Sequence, residues 1–130
     1  MRKLTLLTTL IFTVMFSSTS FAGWTKVTEV DGDTYYVDFE RIRKHGGYVY
    51  WWELWDKLKP DEREILSYQS YKQGDCKLFR YKFLTITGHK GPMGRGTSES
   101  FNISTSNYWR DAHPNSVFEI TQKHACKYAK

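Results

Sequence analysis

Residues Tyr48–Lys59 read YVYWWELWDKLK and carry three of the five tryptophans of a 130-residue chain. A period of two places Tyr50, Trp52 and Leu54 on one face and Val49, Trp51, Glu53 and Trp55 on the other. Both faces are apolar at the start of the stretch, which predicts a central strand covered on both sides. Polarity rises at Asp56, Lys57 and Lys59, where the strand should emerge. Gly46-Gly47 and Pro60-Asp61 bracket it with turn chemistry.

Upstream, Trp24–Val30 alternates weakly, Asp31-Gly32-Asp33 signals a turn, and Thr34–Val37 resumes strand character, a pattern that predicts a β-hairpin. Asp38 stands at an N-cap position before Phe39-Glu40-Arg41-Ile42, one helical turn that should drop Ile42 onto the core. Further upstream, Met1–Ala22 has basic Arg2 and Lys3, an apolar run from Leu4 to Phe16, and Ser20-Phe21-Ala22 as a small-x-small cleavage site. This is the pattern of an export signal, too short and too interrupted by threonines for a membrane anchor. The expected organisation is a leader over 1–22 and a single domain over 23–130.

Without that leader the formal charge falls from +5 to +3, too mild to indicate a nucleic-acid partner without a clustered patch. An aromatic content of 17% is the more distinctive figure, since aromatics fill small cores and also populate binding surfaces. Cys76 and Cys126 are the two cysteines of the chain, and an oxidising compartment makes a disulfide between them the default.

Downstream, Asp61-Glu62-Arg63-Glu64 reads as a solvated loop and Leu66–Lys72 as a strand, with Gly74-Asp75 making the next turn. Cys76–Thr87 alternates with Phe79, Tyr81 and Phe83 on one face and Arg80 and Lys82 on the other. Gly88–Gly96 is glycine-rich, and Thr97–Ser104 forms a sixth candidate strand with Phe101 and Ile103 inward. Ser116 and Glu119 form a capping box before a helix over Val117–Lys127. At 100° per residue, Val117, Ile120, Thr121, His124 and Tyr128 share a stripe, while Cys126 falls nearly opposite, in tension with the disulfide. Strands in series followed by one helix predict an α+β domain, a mostly antiparallel sheet of about six strands with the C-terminal helix packed on it.

The chemistry-bearing residues are sparse. His45, His89, His113 and His124 show no metal-ligand spacing. The Gly88–Gly96 loop lacks the ending of a phosphate-binding P-loop and reads as turn geometry with Arg95 exposed. Glu53 between Trp51 and Trp55 is a lone carboxylate that should meet a cation from a neighbouring strand, Arg80 or Lys82. No nucleophile elbow or zinc-protease motif occurs, so the catalytic and metal assignments are none. The candidate binding surface is Trp51, Trp55, Arg80, Lys82, Arg95, Tyr108 and Trp109, with burial of Trp51 and Trp55 as the competing reading.

Trp24-Thr-Lys-Val, Tyr35-Tyr-Val-Asp, Trp52-Glu-Leu-Trp-Asp, Asp75-Cys76 with Arg80-Tyr81, Met93-Gly94-Arg95-Gly96, Pro114-Asn-Ser116 and Cys126 follow one another in an order that resembles the surface-adhesin protein E family of exported bacterial proteins. The resemblance spans nearly all of the chain after the leader. It implies a six-stranded antiparallel sheet with a C-terminal helix tied by Cys76 and Cys126, and an adhesin-like binding protein of a Gram-negative envelope. Host matrix proteins or envelope proteins are the implied partners and haemin an implied ligand. No lipid-bearing cysteine follows the predicted cleavage site, so periplasm or secretion is expected over surface display. The basic patch expected of a matrix-binding loop is replaced by Asp61-Glu62-Arg63-Glu64. The leading expectation is a non-enzymatic binding protein; the alternatives are a periplasmic carrier of haem or another planar ligand, and a hydrolase of unknown type. Homodimerisation through an open sheet edge is compatible with the pattern.

Overall fold

A computed structural model describes residues 23–129; the predicted leader over 1–22 lies outside the described residues. Two tight hairpins set the register of the first half. β1 (Trp24–Val30) turns into β2 (Asp33–Asp38) through Asp31 and Gly32, whose φ angles are 52° and 87°. β3 (Arg43–His45) turns into β4 (Tyr48–Asp56) through Gly46 and Gly47, at 59° and 83°. Positive φ at both loop positions matches the twist of the flanking strands, and glycine adopts it without a Cβ clash.

Between β2 and β3 lies a 3-10 turn, Phe39–Arg41, capped by Asp38, whose Oδ1 accepts the Glu40 N–H at 3.1 Å. The turn is 3-10 rather than α, and it packs Phe39 and Ile42 against the core. It also interrupts one sheet position rather than creating two. β2 pairs with the end of β4 (Val37 opposite Glu53) and β3 with its start (Arg43 opposite Tyr50).

The second half continues the antiparallel order. β5 (Ser67–Asp75) and β6 (Arg80–His89) extend the sheet, and β6 carries β7 (Ser98–Phe101) on one stretch of its outer edge and β8 (Arg110–Asp111) on another. The path is β1-β2-β4-β5-β6-β7, eight strands occupying six positions. α1 (Val117–Tyr128) closes the chain, as expected of an α+β domain.

Several boundaries differ from the sequence reading. Cys76–Phe79, expected as strand, is the turn between β5 and β6, held by the Asp75 carboxylate, which accepts the Lys77 and Leu78 N–H groups at 3.0 and 3.1 Å. Gly74 lies inside β5 instead, where a Cβ would stand 2.6 Å from the Trp51 ring. The Asp61–Glu64 segment is a built turn: Asp61 Oδ1 accepts from Arg63 N and Ile65 N at 3.0 Å each, and Ile65 is fully buried. The sixth strand is shorter than Thr97–Ser104 and leaves Ile103 beyond it.

α1 also buries a different stripe from the one expected. Thr121, Gln122 and Ala125 face the sheet, while His124 and Tyr128 are exposed. Gln122 is drawn inward because its amide donates to the Asp75 and Arg80 carbonyls at 3.3 and 2.9 Å, closing the β5–β6 turn from above. That rotation places Cys126 on the flank next to the turn, and the Cys76–Cys126 disulfide forms without fraying the helix. Ser116 Oγ caps the Glu119 N–H, but Glu119 accepts from Asn115 N rather than from Ser116, so the expected box is displaced by one residue. Val37, Val49, Trp51, Tyr81, Ala112 and Ala125 form the core beneath this helix.

Candidate functional site

The seven predicted surface residues divide between the two faces of the sheet. Register places Tyr50, Gln73 and Lys82 side by side on the face away from α1, and Val49, Gly74 and Tyr81 on the face beneath it. Arg80 and Lys82 therefore do not join Trp51 and Trp55. They meet Trp109 instead, each with its cationic head 4.6 Å from the indole centroid, and Tyr48 lies 5.4 Å from the same ring. A cation within about 6 Å of an indole face is attracted by its quadrupole, so the three side chains form one basic and aromatic patch.

The same open face carries residues that the sequence reading passed over. Trp52 stacks near Tyr71 at 4.8 Å, Tyr71 near Tyr50 at 6.2 Å, and the Arg41 guanidinium lies 5.3 Å from Trp52 and 5.8 Å from Trp24. All of these aromatic residues are half-buried. The alternation in Tyr48–Asp56 already grouped Tyr50 with Trp52; the missing signal was the cross-strand register that brings Tyr71 beside them.

Trp51 is fully buried under α1 and contributes no accessible surface. Its Nε1 donates to Glu53 Oε1 at 2.8 Å, and Lys72 Nζ donates to Glu53 Oε2 at 2.8 Å. The cation that meets Glu53 is thus Lys72, not Arg80 or Lys82, which register sends to the opposite face. The Lys72 ammonium also lies 4.8–4.9 Å from the Tyr81, Phe83 and Phe118 rings. Burial holds Lys72 below the usual lysine range, against the opposing pull of Glu53.

Trp55 stands further along this inner face, stacked between Tyr35 at 5.8 Å and Tyr68 at 5.3 Å, with Nε1 donating to Asp33 Oδ2 at 2.9 Å. Together with Glu53, Lys72, Phe83, Ile86 and Phe118 these rings line a cavity of about 350 Å³. Tyr68 donates to Asp61, and its phenol is pushed up to about 12 by burial and by that carboxylate. Tyr108 is 58% exposed on the same side, 4.4 Å from the Arg110 guanidinium.

Arg95 lies apart, exposed on the Lys90–Thr97 loop. That loop folds over the β4 end opposite to Trp109. Met93 N donates to Asp56 Oδ1, Gly94 N to Ser67 Oγ, Gly91 N to the Arg95 carbonyl and Arg95 N to the Pro92 carbonyl. These four amides are spent on protein acceptors, which agrees with turn geometry rather than an anion cradle. His89, buried at the end of β6, packs its Nε2 2.9 Å from Gln69 Oε1, and burial lowers its pKa. Among the described residues no three His, Cys, Asp or Glu side chains converge as a metal site, and no helix is long and apolar enough to cross a membrane.

Solved structures with this architecture include crystal form II of Haemophilus influenzae protein E, with 14% identity and a TM-score of 0.64 over 85% of this chain and 91% of that one. The selenomethionine form of Haemophilus influenzae protein E matches at 14% identity and a TM-score of 0.62, over 85% and 90%. Protein E from non-typeable Haemophilus influenzae matches at 15% and 0.58, over 85% and 80%. No curated protein matches the chain. At these identities the likeness is one of fold. The family model described as surface-adhesin protein E matches residues 24–127, and the chain belongs to that family.

Proposed function

We propose that this protein is an exported, non-enzymatic binding protein of the bacterial envelope that captures host matrix or envelope proteins through the sheet face opposite α1. The observation that carries this reading is the bracketing of Trp109 by Arg80 and Lys82 beside Tyr48. Tryptophan, tyrosine and arginine are the side chains that anchor protein contacts, and cations beside them add steering toward acidic partners. The Trp52, Tyr71 and Tyr50 cluster widens the same surface.

Surface plasmon resonance on immobilised vitronectin and laminin tests it. Capture should weaken as salt rises, and the Arg80→Ala/Lys82→Ala pair should lose about tenfold in affinity, chiefly through the on-rate. Capture indifferent to both salt and the double substitution would remove this face from the proposal. Cell fractionation, with retention in the periplasm or release to the surface, decides whether the partner belongs to the host or to the envelope.

The carrier reading draws on the cavity beneath α1, whose stacked Tyr35, Trp55 and Tyr68 suit a planar ring. For haem the lining offers Tyr35, Tyr68, Glu53 and Lys72 as iron ligands, of which Tyr68 is committed to Asp61 and Glu53 and Lys72 to each other. The absence of a Soret shift on titrating haemin at micromolar concentration would dispose of it.

A further inference from the structure

α1 covers the inner face of the sheet only in part. The cavity of about 350 Å³ beneath Val117 and Phe118 adjoins a second hollow of about 440 Å³ lined by Phe101, Ile103 and Arg110, and the two share Tyr68, Phe83 and Ile86. The two hollows meet at those three residues, which form the waist of one trough. A bulge makes the waist. β5 and β6 slip register between Tyr71 and Lys72, so that Lys72 faces Phe83 while Ser70 faces Ile86, and two residues of opposite parity line the same side.

Charge along the trough does not balance. Glu53 has both oxygens satisfied, by Trp51 and by Lys72. Arg110 has no such partner. Its guanidinium lies 5.5 Å from the Phe83 ring and 4.4 Å from Tyr108, Nη2 donates to the Ser106 carbonyl at 3.1 Å, and Nε is buried with no acceptor. Among the described residues no carboxylate forms an ion pair with it. Lys72 pairs with Glu53 at 2.8 Å and Arg63, which also lines the second hollow, with Glu99 at 3.8 Å, so the Arg110 charge is left over in an apolar setting. A cation beside aromatic rings with no carboxylate partner calls for an anion.

We propose that the trough binds a single-chain organic anion, an acyl carboxylate whose head pairs with the Arg110 guanidinium and whose chain runs past Phe83 and Ile86 into the cavity under Phe118. Apolar walls supply the affinity and one charge-assisted bond fixes the direction of the chain. The site is on the opposite side of the sheet from Trp109 and is independent of protein capture there.

The test uses the purified protein loaded with 8-anilinonaphthalene-1-sulfonate, displaced by dodecanoate below its micellar concentration, with dodecanol as the uncharged comparison. Dodecanoate should displace the probe about tenfold more effectively than dodecanol. Arg110→Gln should erase that difference and leave dodecanol unaffected, whereas Ile86→Trp, which fills the waist, should abolish displacement by both while the far-UV circular dichroism is retained. Arg80→Ala/Lys82→Ala should change neither. Equal displacement by dodecanoate and dodecanol in the unaltered protein would overturn the proposal, as would full dodecanoate affinity in Arg110→Gln, or binding confined to micelles or vesicles.

Discussion

Lys72 and Glu53 sit diagonally across β4 and β5, with the lysine 1% and the carboxylate 10% exposed. Taking one partner away leaves the other charged and dry, so Glu53→Gln should destabilise the fold by about 3–5 kcal/mol in urea denaturation. Replacing both, as Glu53→Leu with Lys72→Met, should recover most of that loss, because the desolvation cost goes with the charges. The sequence made Glu53 conspicuous among tryptophans and called for a cation. It pointed to Arg80 and Lys82 because alternation within a strand gives parity but not which parity of the next strand lies alongside. Nothing local distinguishes Lys72 from a surface lysine. Tyr68 and Tyr81 are also informative singly, each with a phenol pushed up to about 12, by burial first. Stability they contribute is complete below pH 10 and is lost as pH rises through 12, so an absorbance titration should show these two tyrosines ionising only with alkaline unfolding.

At the scale of the element, α1 shows why a helical stripe read from hydrophobicity can be off by one position. Apolar scoring favours Ile120 and Tyr128, yet the face that docks is set by Gln122 reaching two strand-end carbonyls and by Ala125 fitting over the core. A buried glutamine has no apolar signature. Gln122→Leu should therefore destabilise, by about 1–3 kcal/mol, despite adding hydrophobicity, since the Asp75 and Arg80 carbonyls lose a donor; thermal unfolding of the variant measures it. The existence of the helix, its Ser116 cap and its C-terminal position were legible, being carried by short-range chemistry. The β6 bulge, which builds the trough, was not: Phe83 and Ile86 read as opposite faces in any strict alternation.

For the molecule as a whole, order and partnership were readable further than surface. Hairpin signals, the central strand and the two cysteines specified the sheet and its tether, while the division of the aromatics between two faces depended on long-range register. The tether closes a loop of 50 residues, and reduction should cost roughly 4 kcal/mol on the chain-entropy model, visible as a lowered denaturation midpoint in reductant. Acid should act through turn carboxylates. The Tyr68 hydroxyl beside Asp61, the Leu78 amide at Asp75 and the Asn115 amide at Glu119 hold these acids below their ordinary range; at Asp33 the Leu58 amide and Trp55 indole outweigh burial. Their contribution is complete above the ordinary carboxylate pKa of about 4 and disappears as pH falls through the lowered values; burial of His89 lowers its pKa too, so stability should begin to fall below about pH 6.5 and fall further below about 4.

β4 supplies both surfaces at once, Glu53 and Trp55 to the trough and Tyr48, Tyr50 and Trp52 to the open side. A point mutation in it reaches one surface and spares the other, so the two can drift apart in specificity from lineage to lineage. Loss of a single codon within β4 is a different event: it exchanges the two faces downstream of the lesion and removes both surfaces together.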